Sequence, residues 1–471
     1  MGRFRSRVVL ISAAAVLLGA AFGAAASPAA LAAPRPVHLT ASRPSGSARE
    51  AALARDYALA RNPLLARDPA LARSVMLRRA AALGGTRPGG GAGLASAQAS
   101  QTTGQLYAVA AVSSGDVWAV GCGGDCNGAQ TLILHWGGTR WSKVASPDPG
   151  AGVDELFAVT AVSADDVWAV GYQCGTPHCG GANDVIRSLI LHWNGTKWSA
   201  VPSPDPSTVS NVLQGVTAVS ASDVWAAGSE ANPSTFLSDT MILHWNGTKW
   251  SRVPTPNVET LRQPESNLLY AISATSANDV WATGDWCDTP GCPYPGQVTT
   301  SLVLHWNGSE WSWVPAPDPG NQFENLLGAT ALTSANAWAV GVYAQNLALR
   351  HYALTLRWNG TAWSPVPGAN PASGVNDLLA VSAASPGDIW AVGDQIGNGL
   401  PYLTLTEHWN GKAWSAVKSP NGTTSDVGIN LLSGVAAVSP GDAVAVGWAE
   451  GSSVTSHVLI LRWNGKSWSR M

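Results

Sequence analysis

An all-β chain folded as a seven-bladed propeller of four-stranded antiparallel blades is what this sequence predicts, on three observations. A unit reading Asp-Val-Trp-Ala-Val-Gly, or a close relative, occurs six times, and a seventh copy starting at Asp442 has lost its Trp. Each copy is followed by Leu-His-Trp-Asn-Gly or a variant and then another Trp, most clearly from Asp166–Gly171 to Leu191–Trp198. Counted from the Leu twelve residues before the first Trp, the units start at Leu106, Leu156, Leu213, Leu269, Leu326, Leu378 and Leu432. Their spacing of 50 to 57 residues, with four β-type runs per unit, is that of a propeller blade. Composition agrees. Hydrophobic residues make up 46% and charged residues 12%, with 50 Gly and 30 Pro, which suits short buried strands joined by turns.

The chain before the repeats divides in two. Residues 1–33 read as a secretory signal: Arg3, Arg5 and Arg7 precede an apolar core at Val8–Gly23, and Ala30-Leu31-Ala32 supplies small residues for cleavage. The core is long enough to serve instead as an uncleaved anchor; no other stretch approaches a membrane span. Residues 34–104 carry ten Arg against three acids, a net of +7, and recur as Leu-Ala-Arg at Leu53, Leu59, Leu65 and Leu71. Pro63 and Pro69 confine any helix there to short pieces at Ala48–Arg61 and Pro69–Leu83, followed by a Gly-rich linker. This segment reads as a propeptide-like spacer, or as a basic arm for an anionic envelope or for the propeller itself.

From residue 105 onward, fourteen basic residues face 27 acidic ones, a net of −13. Such a body repels phosphate backbones, so nucleic acid is excluded as a partner. Within the second unit the four strands are expected at Leu156–Val162, Asp166–Gly171, Ser188–Trp193 and Lys197–Val201. Asn-Gly between the third and fourth predicts a type I′ hairpin with positive φ at both residues. In a meander, the first-to-second and third-to-fourth turns share one face of the disc. Here those turns are tight and repeated. The opposite face receives long connections that differ in every unit, such as Tyr172–Arg187 and Asp285–Thr300, and that is where binding would be built.

Six cysteines lie in these loops as close pairs, Cys122/Cys126, Cys174/Cys179 and Cys287/Cys292. In an exported chain they read as three local disulfides. The rival is a zinc site between the first two pairs, with His178 nearby, which would need reduced thiolates. His135, His192, His244, His305 and His408 recur before the third-strand Trp, and recurrence argues for a structural role. They are expected to meet the Asp that opens the second strand, drawn from Asp116, Asp166, Asp223, Asp279, Asp388 and Asp442, or else to stand exposed. Twenty of the 23 Trp occupy repeated positions and read as core. Outside the pattern, Tyr172, Trp286, Tyr343 and Trp448 follow the second-strand Gly by one or two residues, and Tyr294 lies in a Cys-bearing loop. These five are the ligand-binding candidates, as a stacking platform for sugars; the competing reading is loop-to-blade packing.

The hairpin His192–Trp198 resembles that of the Asp-box propellers of sialidases and photosystem II assembly factors, matching their Gly at Gly195 and their distal Trp at Trp198. The leading Ser and the Asp of that motif are replaced. The repeat length is similar to the kelch and galactose-oxidase-like group. The resemblance covers 106–471 and implies architecture only, because no sialidase cluster of Arg with a Tyr/Glu pair and no copper-ligand set of Tyr and His is found. No catalytic signature, metal site or cofactor motif is expected. The function expected is a secreted, monomeric binding or scaffold module for a polysaccharide or protein on the loop-bearing face. A glycan-active hydrolase or lyase with an axial site, using acids such as Asp285 and Asp394, is the alternative.

Overall fold

A computed structural model describes residues 102–124, 126, 130–176, 184–235, 237–258, 266–287, 298–320, 323–345, 350–397, 399–425, 428–451 and 455–471. The expected signal, residues 34–101 of the expected spacer, His178, Cys179, Cys292 and Tyr294 lie outside these residues, whereas spacer residues 102–104 are described and Gly104 opens the first strand. Chain contacts divide the protein into Met1–Arg49 and Glu50–Met471, and every described residue belongs to the second unit.

The described residues form seven four-stranded antiparallel sheets, each from four consecutive strands, with no helix among them. In blade 2 the strands are Val153–Ser163, Asp166–Cys174, Ile186–Trp193 and Trp198–Ala200. The first strand of each blade begins at Gly104, Val153, Asn211, Ser266, Phe323, Val375 and Ile429. Strand residues are Val, Ile, Leu and Trp on both faces because each sheet is buried on both sides by its neighbours.

The second-strand Trp is the centre of each blade interface. The Trp168 ring stacks on its own blade's His192 at 4.1 Å and meets Trp245 and Trp250 of blade 3 at 5.0 and 5.4 Å. Trp118, Trp225 and Trp281 repeat this arrangement with the next blade. Rings in such tilted and edge-on contact add about 0.5–1.5 kcal/mol per pair beyond their burial.

His and Asp of one blade do meet. His Nε2 lies 2.7, 2.8, 2.8, 2.7 and 2.6 Å from Asp Oδ1 in the pairs His135–Asp116, His192–Asp166, His244–Asp223, His305–Asp279 and His408–Asp388. The carboxylate holds the imidazole flat against the Trp. Blade 5 replaces the pair with Arg357 and Asn336, the guanidinium standing 5.5 Å from the Trp338 centroid.

The repeated Gly that ends the second-strand motif has a steric cause. A Cβ on Gly171 would sit 1.9 Å from the Glu155 carbonyl oxygen, and all seven equivalents meet the same carbonyl at 1.8–1.9 Å. The carbonyl turns inward because the first strand bulges immediately beyond it, between Leu156 and Ala158 in blade 2.

The hairpins depart from the type I′ expectation. Only the Gly has positive φ, 86° at Gly195, while Asn194 is not in the left-handed region. Asn194 Oδ1 instead accepts hydrogen bonds from the Thr196 and Lys197 amides at 3.1 and 3.0 Å. Asn is thus the residue before the turn, capping it, and Gly is the first central residue, as a type II′ turn requires.

Among the described residues no strand is exchanged to close the ring. Blade 7 meets blade 1 through the Thr103–His457 bridge, a Val458 amide bond to Thr102 O at 3.1 Å, and Gln105 Nε2 donating to Ser456 Oγ at 3.0 Å. On the opposite face Val444 stands where other blades have Trp, and Arg462 stands where most have His. Arg462 bonds Asp442 at 2.8 Å and reaches across to Ser114 O at 2.8 Å. With no second-strand indole in its own blade, the longer side chain spans the seam and lies over the Trp136 ring of blade 1, 5.8 Å from its centroid.

Candidate functional site

The loop-bearing face starts from a repeated brace absent from the expectations above. After its fourth strand, the chain returns through Ser-Pro-Asp or a relative, and the Asp or Asn caps the third strand seventeen residues earlier. Asp148 Oδ1 accepts from the Thr131 amide at 2.7 Å, Asp205 from Ser188 at 2.8 Å, and Asn257 from Thr240 at 2.9 Å. Asn370 and Asn421 do the same for Ala353 and Thr404. The constant offset of the Pro-flanked Asp/Asn was the signal available in the sequence. Acids of this kind hold loop bases and are committed to backbone donors.

Near the ring's centre the face is closed. Each first-strand bulge inserts one extra residue into the register: Tyr107, Phe157, Gln214, Tyr270, Leu327, Leu379 and Ser433. First strands line the axis, and a wide channel would expose these side chains. They are 3–9% exposed, so the axis is filled at this depth. The Tyr107 and Phe157 rings lie 5.5 Å apart, and Tyr270, Leu327 and Leu379 share one apolar cluster.

The acids at this level are also buried. Asp285 and Asp394 are fully buried, and Asp394 pairs in register with buried Asp377, which faces the His351 Nδ1 at 3.1 Å. Burial pushes the Glu155 carboxyl up to about 8 despite a hydrogen bond from Tyr172, and pushes Asp154 up to about 6. The Glu155 group is therefore neutral at neutral pH, the state a desolvated carboxyl prefers.

The four aromatic candidates in described residues fall into two classes, set by strand alternation. Tyr172 and Trp448 follow the second-strand Gly by one residue; Trp286 and Tyr343 follow it by two. One position reverses the sheet face on which a side chain stands. Trp448 is 3% exposed and packs with Leu431 and Tyr402. Tyr172 packs against Phe157 at 5.5 Å, and burial together with the nearby Glu155 raises its hydroxyl well above the usual value. Trp448 belongs to the interior; Tyr172 is half-buried, with its hydroxyl turned inward to Glu155. Trp286 and Tyr343 are half-buried at equivalent positions of adjacent blades, on the faces that look back toward blades 3 and 4.

Two further groups join them, and a third does not: Trp313, on the fourth strand of blade 4, is 48% exposed but stands opposite Leu304, toward the tight-hairpin end of the blade. Tyr352 stacks on Tyr343 with centroids 5.2 Å apart and planes 21° from parallel. Arg350 lies over Tyr352, 4.6 Å from its centroid. Outside the repeated positions, the described aromatics that reach solvent are Tyr172, Trp286, Trp313, Phe323, Tyr343 and Tyr352, and all but Tyr172 belong to blades 4 and 5. Trp313 was visible in the sequence as one of only three Trp outside the repeat; Tyr352 and Arg350 carried no pattern.

Of the cysteine pairs, Cys122 and Cys126 form a disulfide with Cα atoms 5.5 Å apart. Cys174 and Cys287 are disulfide-bonded as well, while the expected partners Cys179 and Cys292 lie outside the described residues. Cys122 Sγ lies 3.1 Å from the Tyr107 hydroxyl, tying the loop base to the closed centre. Among the described residues no cluster of His, Cys, Asp or Glu could hold a metal ion, and no helix is long and apolar enough to cross a membrane.

The sequence matches no protein-family model and no curated protein. In fold the chain is similar to an ulvan lyase of polysaccharide lyase family PL25, at 10% identity and a TM-score of 0.52 over 80% of this chain and 98% of that one. It is similar to the same kind of enzyme bound to -[GlcA(1-4)Rha3S]-, at 10% identity and 0.50 over 79% and 96%. It is also similar to YCF48 bound to a D1 peptide, at 12% identity and 0.44 over 77% and 94%. At such identities the likeness to the two lyase structures concerns the fold alone, and it agrees with the seven four-stranded sheets described above.

Proposed function

We propose that this protein is a secreted, monomeric polysaccharide-binding module, holding its ligand on the loop-bearing face over blades 4 and 5. The observation that carries this reading is the gathering of Trp286, Tyr343 and Tyr352 at the loop-bearing ends of those two blades, all reaching solvent. A flat ring side chain that is part-exposed on a rigid strand offers area to the C–H faces of a sugar at little entropic cost. Blade interiors already have their Trp, so these extra rings are not needed for cohesion.

The filled centre favours a surface binder over an axial enzyme. A hydrolase or lyase would need accessible carboxyls or a base beside bound substrate, whereas Asp285, Asp377 and Asp394 are buried. Export is supported by the basic and apolar N-terminal pattern and by the disulfide at Cys122–Cys126. Within the propellers we place the chain beside the Asp-box group, on the hairpin Gly195 and Trp198.

A glycan array probed with the full chain tests the reading. Binding of at least one polysaccharide class, lost in the Trp286→Ala/Tyr343→Ala double variant, is the expected result. Retention of all binding in that variant would move the ligand elsewhere.

A further inference from the structure

The seam between blades 4 and 5 carries a cation whose surroundings differ from those of the other loop-face arginines. Arg187 lies 3.6 Å from Asp205, and Arg252 pairs with Glu230. Arg350 is exposed and makes no ion pair among the described residues; its recorded contact is the Tyr352 ring at 4.6 Å. Tyr352 rests in turn on Tyr343, which stands opposite Glu324 in the strand register. Below Tyr343, the Gly320 amide donates to Glu324 Oε2 at 3.3 Å, and Ser301 Oγ donates to Glu324 Oε1 at 2.5 Å. A guanidinium, two phenol rings and a braced strand edge thus stack in order from solvent to core.

We propose that Arg350, held on the Tyr352–Tyr343 stack, is a subsite for the carboxylate or sulfate of an acidic sugar unit. The inference rests on the glycan-binding reading above and names the chemistry of its ligand. A guanidinium lying on an aromatic face keeps its N–H edge free, and the ring limits its rotation. Less entropy is then lost when two N–H groups grip a planar anion. In a body of net charge −13, an anionic ligand meets least repulsion beside an exposed cation such as Arg350. The nearest buried acid does not cancel it. Burial, with a hydrogen bond to Asp318, raises the Glu324 carboxyl and favours its neutral form. Trp286 on blade 4 would stack a neighbouring unit of the same chain, so the anion contact sets which polymer is chosen and the ring supplies area.

The test uses the full chain, with polygalacturonate, dextran sulfate and neutral dextran as probes in affinity electrophoresis at low salt. The expected result is retardation by at least one of the two anionic polymers and a tenfold or greater weakening of it in Arg350→Gln. Whichever anionic polymer binds identifies carboxylate or sulfate. Arg350→Lys keeps the charge but loses the planar fork, and should recover only part of the affinity. Equal retardation of wild type and Arg350→Gln by the anionic polymers would overturn the subsite alone, with the glycan-binding reading intact if Trp286→Ala still weakens binding. Absence of retardation by both anionic polymers would also overturn it. A glycan array negative throughout would overturn both readings.

Discussion

Trp286 and Tyr343 occupy the same repeat position in neighbouring blades, each two residues past the glycine that ends the second-strand motif. That parity keeps both rings at the surface edge of a blade, whereas Trp448, one residue nearer its glycine, is 3% exposed. Because the two rings stand on separate blades, their contributions should add. Each single Ala variant is expected to weaken polysaccharide binding about tenfold, or about 1.4 kcal/mol, and Trp448→Ala is expected to lower stability first. Binding isotherms beside thermal melts check this.

The blade glycines are steric requirements. Gly171→Ala would drive a Cβ to 1.9 Å from the Glu155 carbonyl oxygen, so the bulge itself must shift. A loss of about 3 kcal/mol or more in urea unfolding is expected. Gly124, with nothing within 4 Å of its Cβ position but φ of +69°, should cost less on the same change, about 1 kcal/mol.

Stability should fall as pH rises from 5 to 8. Glu155 has its folded value raised by burial to about 8, against about 4.3 in the unfolded chain. The folded state therefore holds more protons across that window. Its stabilisation is complete below the unfolded value and is lost as pH climbs through the folded one. The same sign holds for Asp154, raised to about 6. Melting temperatures across this range should decline less in Glu155→Gln than in the wild type. A pH-independent melt in the wild type would contradict the assignment.

Ring closure joins a short backbone bridge, Thr103–His457, to side-chain bonds across the seam. Arg462 joins Asp442 of blade 7 to Ser114 O of blade 1, both at 2.8 Å. Arg462→Ala should cost about 1.5–3 kcal/mol, as loss of charge-assisted hydrogen bonds does. His192→Ala, within one blade and partly exposed, should cost less. Hydrogen exchange should then quicken first at the Val458 amide, which bonds Thr102 O across the seam.

Much of the architecture was legible because each blade repeats its own constraints. Trp168 and Gly171 recur where the packing geometry recurs, so seven copies report one physical requirement. The His–Asp pairing followed from two residue types repeating at a fixed topological distance. The turn type was misread because Asn-Gly fits two hairpin registers, and only backbone φ separates Asn194 as cap from Asn194 as turn residue. The site was less legible for a related reason. Trp448 and Trp286 look alike in sequence, one or two residues past a glycine, yet a single step along a strand decides between interior and edge. Arg350 belongs to no repeat, and its meaning depends on the stacked Tyr343 and Tyr352, which join across a strand pair nine residues apart. Constraints shared by all blades leave a pattern; a contact made once does not.

The most direct test is the affinity of the full chain for its best glycan-array ligand, compared with the Trp286→Ala/Tyr343→Ala double variant at equal thermal stability. The account predicts a loss of about a hundredfold, the sum of two independent stacking contacts. Unchanged affinity in a folded double variant would contradict a ligand surface on blades 4 and 5.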